Sequence, residues 1–489
     1  MPKFVNTMKL QFLGATREVT GSKHLITTDS GHTILLDCGM YQGKGAETDA
    51  DNRDLGFEPS EIDCIVLSHA HIDHSGLIPY VYKKGFRGDI YCTHATRDLC
   101  ALMLADTAFI QEQDVRTYNK KVDRQHPHKE KGKNYFMEPL YDQHDVDKVM
   151  KHFVCYDYDR RFQMFDDVLL TFTNSGHMLG GAICSLEIYE AEEGHDQKRW
   201  KRLTYTGDIG RAKSHILSSP QLFPQCDYLI CESTYGDRLH EDPIVTEQQL
   251  LGIVKDTCEY RGGKLLIPSF SVGRTQEIVY VLNNLYNEQY LSNRIPVYVD
   301  SPLSTNATHI FRMYPQYLSD EVRDTLRYDD DPFGFNTLRY ITDVRESKKL
   351  NTDDKPAIII SASGMLEAGR IKHHVANHIS DPRCTILIVG YCAPTTLGAR
   401  IQEPGLQWIS IFGMDHKIKA QITKLEGFSG HGDYKEMIDY LTRSLQVEGV
   451  QRVFIVHGEK EAAEAYKDHL YEAGFRGIEV PEKGEIVHL

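Results

Sequence analysis

Three imidazoles and a carboxylate fall within the six residues His69-Ala70-His71-Ile72-Asp73-His74. They follow the apolar run Cys64-Ile65-Val66-Leu67-Ser68, which reads as a buried strand. A strand that delivers four potential ligands onto the loop at its end is the pattern of a metal site, and metal at such a loop activates water for hydrolysis. One tetrahedral ion cannot use all four groups at this spacing. Asp73 and His74 point away from the His69/His71 pair, so two ions sharing one loop is the expected arrangement. A single histidine here would read as a polar turn residue; the whole set does not.

Two ions need ligands from elsewhere in the chain. The same grammar, an apolar strand ending in His or Asp, recurs three times. Leu169 to Thr173 leads to Ser175-Gly176-His177, Arg202 to Thr206 leads to Gly207-Asp208, and Val453 to Val456 leads to His457. A glycine beside each ligand lets the backbone turn sharply and brings the side chain close to a cation.

With these residues the chain resembles the metallo-β-lactamase superfamily. The resemblance implies that His69, His71 and His177 bind one metal. It implies that Asp73, His74 and His457 bind the other and that Asp208 bridges them. Asp37, in Thr33-Ile34-Leu35-Leu36-Asp37-Cys38-Gly39, matches the superfamily's outer aspartate, which holds a ligating imidazole in the right tautomer. Taken alone, Asp37 reads as a turn residue before Gly39.

Three further segments select a branch. Ile230-Cys231-Glu232-Ser233-Thr234-Tyr235-Gly236 ends an apolar strand with a carboxylate. Gly427-Phe428-Ser429-Gly430-His431-Gly432-Asp433 sets a histidine in a Gly-rich loop, and Val456-His457-Gly458-Glu459 supplies the last ligand. These look like the extra motifs of the β-CASP nucleases, the branch of the cleavage and polyadenylation endonuclease and bacterial RNase J. The implied fold is α/β: a metallo-β-lactamase αββα sandwich with an inserted α/β β-CASP domain. The implied activity is metal-dependent hydrolysis of single-stranded RNA. Histidine at the position of His457 accompanies RNA-directed members, whereas DNA-directed ones carry valine. Two Zn2+ are the implied cofactors, with Mn2+ as the alternative that an all-N/O ligand set also admits.

The chain parses accordingly. At 489 residues it holds about three domain-lengths of material. The expected division is residues 1–237, then an insertion of 238–416, then a return segment of 417–489 whose His431 and His457 must reach the metals. Ala95 to Asp106 has apolar positions at helical spacing, with Thr96 as the expected cap. Gly263 to Pro268, Thr275 to Leu285 and Ile295 to Asp300 alternate strand and helix, which suggests a parallel sheet in the insertion. There, Ile358-Ile359-Ile360-Ser361-Ala362-Ser363-Gly364 runs from strand to small hydroxyl residues that suit a phosphate, so Ser361 and Ser363 are candidate RNA contacts. Ser269 to Thr275 and Ala393 to Gly398 are weaker candidates for the same role.

Composition fits a soluble enzyme, with 41% hydrophobic and 26% charged residues. Met1 to Leu13 has no basic segment followed by an apolar core, so no signal peptide is expected. No apolar run approaches the roughly 18 residues of a membrane span. The 11 cysteines are scattered and mostly within apolar runs, which fits reduced thiols and a cytoplasmic location. A net charge of −15 argues against a broad basic RNA surface, but two divalent ions add about +4 where a phosphate would sit. One basic stretch, Arg116 to Lys133, reads as an exposed loop that either contacts RNA backbone or is merely solvated. A homodimer is among the assemblies this reading allows. On this reading neither the C-terminal assembly domain of RNase J nor the N-terminal extension of archaeal relatives is expected.

Chemistry then assigns roles. His431 is the candidate general acid for the leaving alkoxide and a phosphate contact, with Glu232 hydrogen-bonded to its far nitrogen. Asp73 is both a ligand and a candidate acceptor for the attacking water's proton, and Asp208, the implied bridge between the metals that position that water, counts among the catalytic residues. Two other classes compete: a small-molecule metallo-hydrolase of the same superfamily, and a metal-free partner subunit. The insertion and the Glu232/His431 pairing disfavour the first; the intact ligand positions disfavour the second.

Overall fold

The structure, a computed structural model, describes residues 8–43, 47–125, 136–191, 198–240, 243–393 and 395–489. Two seven-stranded sheets face each other. The first runs, in spatial order, Ile486–His488, Lys9–Phe12, His24–Thr27, Thr33–Leu36, Cys64–Val66, Asp89–Cys92 and Phe153–Cys155. The second runs Ile478–Glu479, Arg452–Val456, Tyr228–Glu232, Lys198–Tyr205, Ala182–Ala191, Val168–Asn174 and Phe162–Phe165.

Side-chain alternation explains why both faces of each sheet are apolar. Ile34, Leu36, Cys64 and Val66 point between the sheets and meet Phe172, Leu186, Leu203 and Phe454 from the opposite one. Leu35 and Ile65 point outward, under Leu77, Val81 and Leu99 of the covering helices. On the far side, Leu229, Cys231, Val453 and Ile455 pack under Met437, Leu441, Tyr466 and Leu470. Helices therefore cover both outer faces, giving the αββα sandwich.

The third sheet has six strands in the order Leu338–Tyr340, Val297–Val299, Ala357–Ser361, Lys264–Pro268, Thr385–Ile388 and Gln421–Lys424. All its pairings are parallel. Its last strand lies beyond the expected return at 417. The block seats on the sandwich through Tyr314, whose hydroxyl donates to Asp98 at 2.5 Å, and through Ser218, whose hydroxyl donates to the Leu318 carbonyl at 2.9 Å.

Two sequence expectations need correction. Arg116, Lys120, Lys121 and Arg124 are not on a loop but on the helix His94–Gln125; Lys129, Lys131 and Lys133 lie outside the described residues. That helix is capped by Thr93 rather than Thr96, because the Thr93 hydroxyl accepts from the Thr96 backbone N–H at 3.2 Å. All 11 cysteines are free thiols. Among the described residues, no helix is long and apolar enough to cross a membrane.

Strand direction positions the site. Tyr228–Glu232 is parallel to both Lys198–Tyr205 and Arg452–Val456. Val168–Asn174 and Lys198–Tyr205 are each antiparallel to the strand between them, so they run the same way. Four strands thus release His177, Asp208, Glu232 and His457 at one edge. The packing that holds this edge together is testable at Phe454, fully buried and 5.3 Å ring to ring from Phe12. Phe454→Ala should cost about 3–5 kcal/mol, the usual range for a deleted core aromatic, read as a lower denaturation midpoint. An unchanged midpoint would mean that the inter-sheet core does not carry the fold.

Candidate metal centre

The loop after Cys64–Val66 is bolted down by its backbone. The carbonyls of Ile72, Asp73 and His74 accept from the N–H groups of Met40, Ser22 and Cys38 at 2.7–2.9 Å. Gly39 makes this approach feasible, since a Cβ there would sit 1.6 Å from the Asp73 carbonyl oxygen. The buried Lys23 ammonium donates to the carbonyls of Gly21 and Gly39, at 3.0 and 3.2 Å.

Two donor sets result. In the first, His71 Nδ1 lies 3.1 Å from His69 Nε2 and 3.2 Å from His177 Nε2. Asp208 Oδ2 is 3.4 Å from His69 Nε2 and 3.4 Å from His177 Nε2. In the second, His74 Nε2 lies 3.1 Å from His457 Nε2 and 4.0 Å from Asp73 Oδ2, and Asp73 Oδ2 is 3.4 Å from His457 Nε2. Asp208 Oδ1 is 3.4 Å from His74 Nε2 and 3.5 Å from His457 Nδ1. Donors bound to one tetrahedral zinc at about 2.0–2.1 Å stand about 3.3 Å apart, so the first set has the edge lengths of a closed cation site. The second is slightly more open.

Electrostatics points the same way. Burial pushes His69 below its ordinary value, His71 down to about 3 and His177 well below 6.5, leaving the neutral imidazoles that ligate. Burial also opposes charge on His74, but Asp208 and Asp37 outweigh it and hold His74 well above its ordinary value. Positive charge, as proton or cation, is therefore required between His74 and Asp208. Asp208 Oδ1 is buried without a hydrogen-bond partner, as an oxygen reserved for a cation would be. The donor set and this orphaned oxygen fit divalent metal.

Behind the ligands, Asp37 is fully buried. Its Oδ2 accepts from His74 Nδ1 (2.7 Å), the Tyr205 hydroxyl (2.7 Å) and the Ser68 hydroxyl (2.8 Å), and its Oδ1 accepts from the Ser68 N–H (2.7 Å). The Gly430 carbonyl stands 3.0 Å from His177 Nδ1. Each contact directs the other ring nitrogen toward the cluster. Asp37 and His457 both adopt positive φ, +57° and +50°, and the His457 backbone N–H is held by the Ala15 carbonyl at 2.7 Å.

His431 stands at the rim, 19% exposed, with Nε2 4.0 Å from Asp208 Oδ2. Its Nδ1 is 3.1 Å from both oxygens of the buried Glu232. Burial alone would lower this imidazole, but Glu232 and Asp208 outweigh it and raise it to about 9. Glu232 is fixed in turn by the Ile209 N–H (2.5 Å) and the Thr234 hydroxyl (2.6 Å). Thr234 also lies 3.0 Å from His457 Nδ1. Sequence reasoning missed Thr234, Tyr205 and Ser68. Thr234 sits two residues after Glu232, but its partner His457 is more than 200 residues away.

The serine loop divides. Ser361 is still inside its strand, buried, with its hydroxyl donating to the Asp300 carbonyl at 2.7 Å, so it is not offered to a phosphate. Ser363 lies past the strand end and is partly exposed. Ser269 is fully buried.

The sandwich and its ligand-bearing strand ends define a protein of metallo-β-lactamase type. Residues 25–224 match the metallo-beta-lactamase superfamily domain, 275–401 the Beta-Casp domain and 415–481 the Zn-dependent metallo-hydrolase RNA specificity domain. Ribonuclease TTHA0252 of Thermus thermophilus is 34% identical over 456 residues, which cover 93% of this chain and 94% of that protein. Transcription termination factor FttA of Methanocaldococcus jannaschii is 33% identical over 470 residues, covering 94% of this chain and 68% of that one. The chain belongs to the β-CASP family of the metallo-β-lactamase superfamily. A crystal structure of a protein of unknown function from Enterococcus faecalis V583 shares the fold, with a TM-score of 0.51, 13% identity, and coverage of 99% of this chain and 100% of that one.

Asp37 makes the site testable without catalysis. Asp37→Asn should weaken metal affinity about 10–100-fold, measured by competition with a chromophoric chelator. Undiminished affinity would reduce Asp37 to a turn residue.

Proposed function

We propose that the chain is a metal-dependent ribonuclease that hydrolyses phosphodiester bonds of single-stranded RNA. In this reading two zinc ions, with manganese as the alternative, occupy the two donor sets. His69, His71 and His177 hold one, Asp73, His74 and His457 hold the other, and Asp208 spans both. The same reading takes residues 238–416 as the body of the insertion, which the strand Gln421–Lys424 extends before the chain returns to the host begun by 1–237. The observation that carries the proposal is the Asp208 carboxylate shared by two imidazole sets, with the His431–Glu232 pair just beyond it. Family membership supports it, as do the ribonuclease among the relatives and the RNA specificity domain matched around His431 and His457.

Divalent ions held there would supply Lewis acidity toward a phosphoryl oxygen and a water activated for in-line attack. The residues do the rest. Asp37 keeps His74 oriented. Asp73 Oδ2 accepts the proton of the attacking water. His431, kept protonated by Glu232, contacts the phosphate and passes its Nε2 proton to the departing oxygen. Thr234 holds Glu232 in place for that transfer, and Ser363 contacts the RNA backbone.

The test uses end-labelled RNA and DNA oligomers of the same sequence, and a nitrophenyl phosphodiester whose leaving group needs no proton. Wild type should cleave the RNA much faster than the DNA. His431→Ala should slow RNA cleavage about 10²–10⁴-fold, the span for lost acid–base assistance, while sparing the nitrophenyl ester. Equal rates on RNA and DNA would contradict the substrate assignment, and equal damage on both RNA and the ester would remove the acid role.

A further inference from the structure

Away from the donor sets, large aromatic rings stand exposed along one edge of the fold. The strand Lys264–Pro268 runs out into Ser269-Phe270, and its parallel neighbour Thr385–Ile388 runs out into Gly390-Tyr391. Adjacent parallel strands end on the same edge, where α/β sheets collect ligands. Ile267 and Ile388 on these strands are fully buried, but Phe270 is 42% exposed and Tyr391 43%. Glycines lie against the Phe270 ring. A Cβ on Gly364 or Gly390 would stand 3.1 or 3.6 Å from its carbons, so neither residue has a side chain to cover it.

The row continues into the sandwich. Tyr391 lies within electrostatic reach of Glu459, Arg238 and Tyr235. Tyr235 and Arg238 come shortly after Glu232 in the chain, and Glu459 shortly after His457. The Tyr235 ring centre is 4.3 Å from that of His240 and 6.1 Å from that of His431, and the Arg238 guanidinium sits 5.5 Å from the Tyr235 ring centre. The exposed Phe270 and Tyr391 rings and the partly buried Tyr235 ring thus lie between the edge of the inserted sheet and the imidazole beside Asp208.

Such rings suit one kind of ligand in particular. Bases of an unpaired strand have π faces that stack on aromatic side chains whatever the sequence. Bases in a duplex are already stacked on one another. Charge adds an argument: at −15 the chain cannot draw on broad attraction to phosphates, so base contacts have to supply affinity that basic residues supply elsewhere. We propose that Phe270, Tyr391 and Tyr235 form a stacking path for successive bases of a single strand. Tyr235, beside His431, takes the base of the nucleotide whose oxygen departs. This rests on the ribonuclease reading and names what that site recognises in its substrate.

The experiment compares two RNA oligomers with a cleavage-resistant linkage at the scissile position. One is intact; the other is abasic on the departing side. Wild-type protein, metal-loaded, should bind the intact strand about 5–100-fold more tightly. Phe270→Leu and Tyr391→Leu should each lose much of that ratio, and Tyr391→Trp should keep it. Both positions are exposed, so folding is not at stake. A purely structural role would weaken both strands alike and leave the ratio intact. That outcome, or a wild type indifferent to the missing bases, overturns the path while leaving the ribonuclease reading standing. Wild type that fails to cleave ordinary RNA would take down the ribonuclease reading and the path with it.

Discussion

A carboxylate buried in an apolar interior needs positive charge or donated hydrogen bonds around it. Asp208 is 2% exposed, and imidazoles of His69, His177, His74, His457 and His431 lie within 4.0 Å of its oxygens. Burial pushes His69 and His177 below their ordinary values, so the five rings cannot all supply the charge as protons. A cation between carboxylate and imidazoles resolves the conflict, and imidazoles stand near both oxygens of the carboxylate. The rest of the structure is the framework that keeps this arrangement from relaxing.

That framework is mostly backbone. Parallel strands bring distant chain segments to one edge in fixed register, Glu232 beside Val456 more than 200 residues on, and Tyr205 beside Ile230. The long excursion between residues 232 and 452 is possible because the strands flanking it pair directly, so the inserted sheet can grow without disturbing the ligand edge. The excursion touches the sandwich again where the Thr395 hydroxyl donates to the Gly43 carbonyl at 3.2 Å.

Much of this is legible in the sequence because it is local. An apolar run ending in His or Asp and a glycine is a statement about strand, turn and ligand within a few residues, and the sandwich is built from such units. What the sequence hides depends on partners far along the chain or on which way one residue faces. Ser361 looks like the first residue past its strand, but the strand includes it and turns its hydroxyl inward. The basic stretch from Arg116 to Lys133 reads as loop because Pro127 interrupts it, although the helix persists to Gln125. Thr234 and Tyr205 carry no signal of their own, since a hydroxyl acquires a role only when Glu232, His457 or Asp37 stands beside it.

The central claim is that one carboxylate is shared by two metal ions. Paramagnetic resonance of the protein loaded with Mn2+ tests it directly, because ions bridged by one carboxylate couple magnetically and separated ions do not. A spin-coupled spectrum is expected at saturating metal, collapsing to uncoupled signals in Asp208→Ala. The hyperfine pattern of isolated ions in the saturated wild-type protein would contradict it.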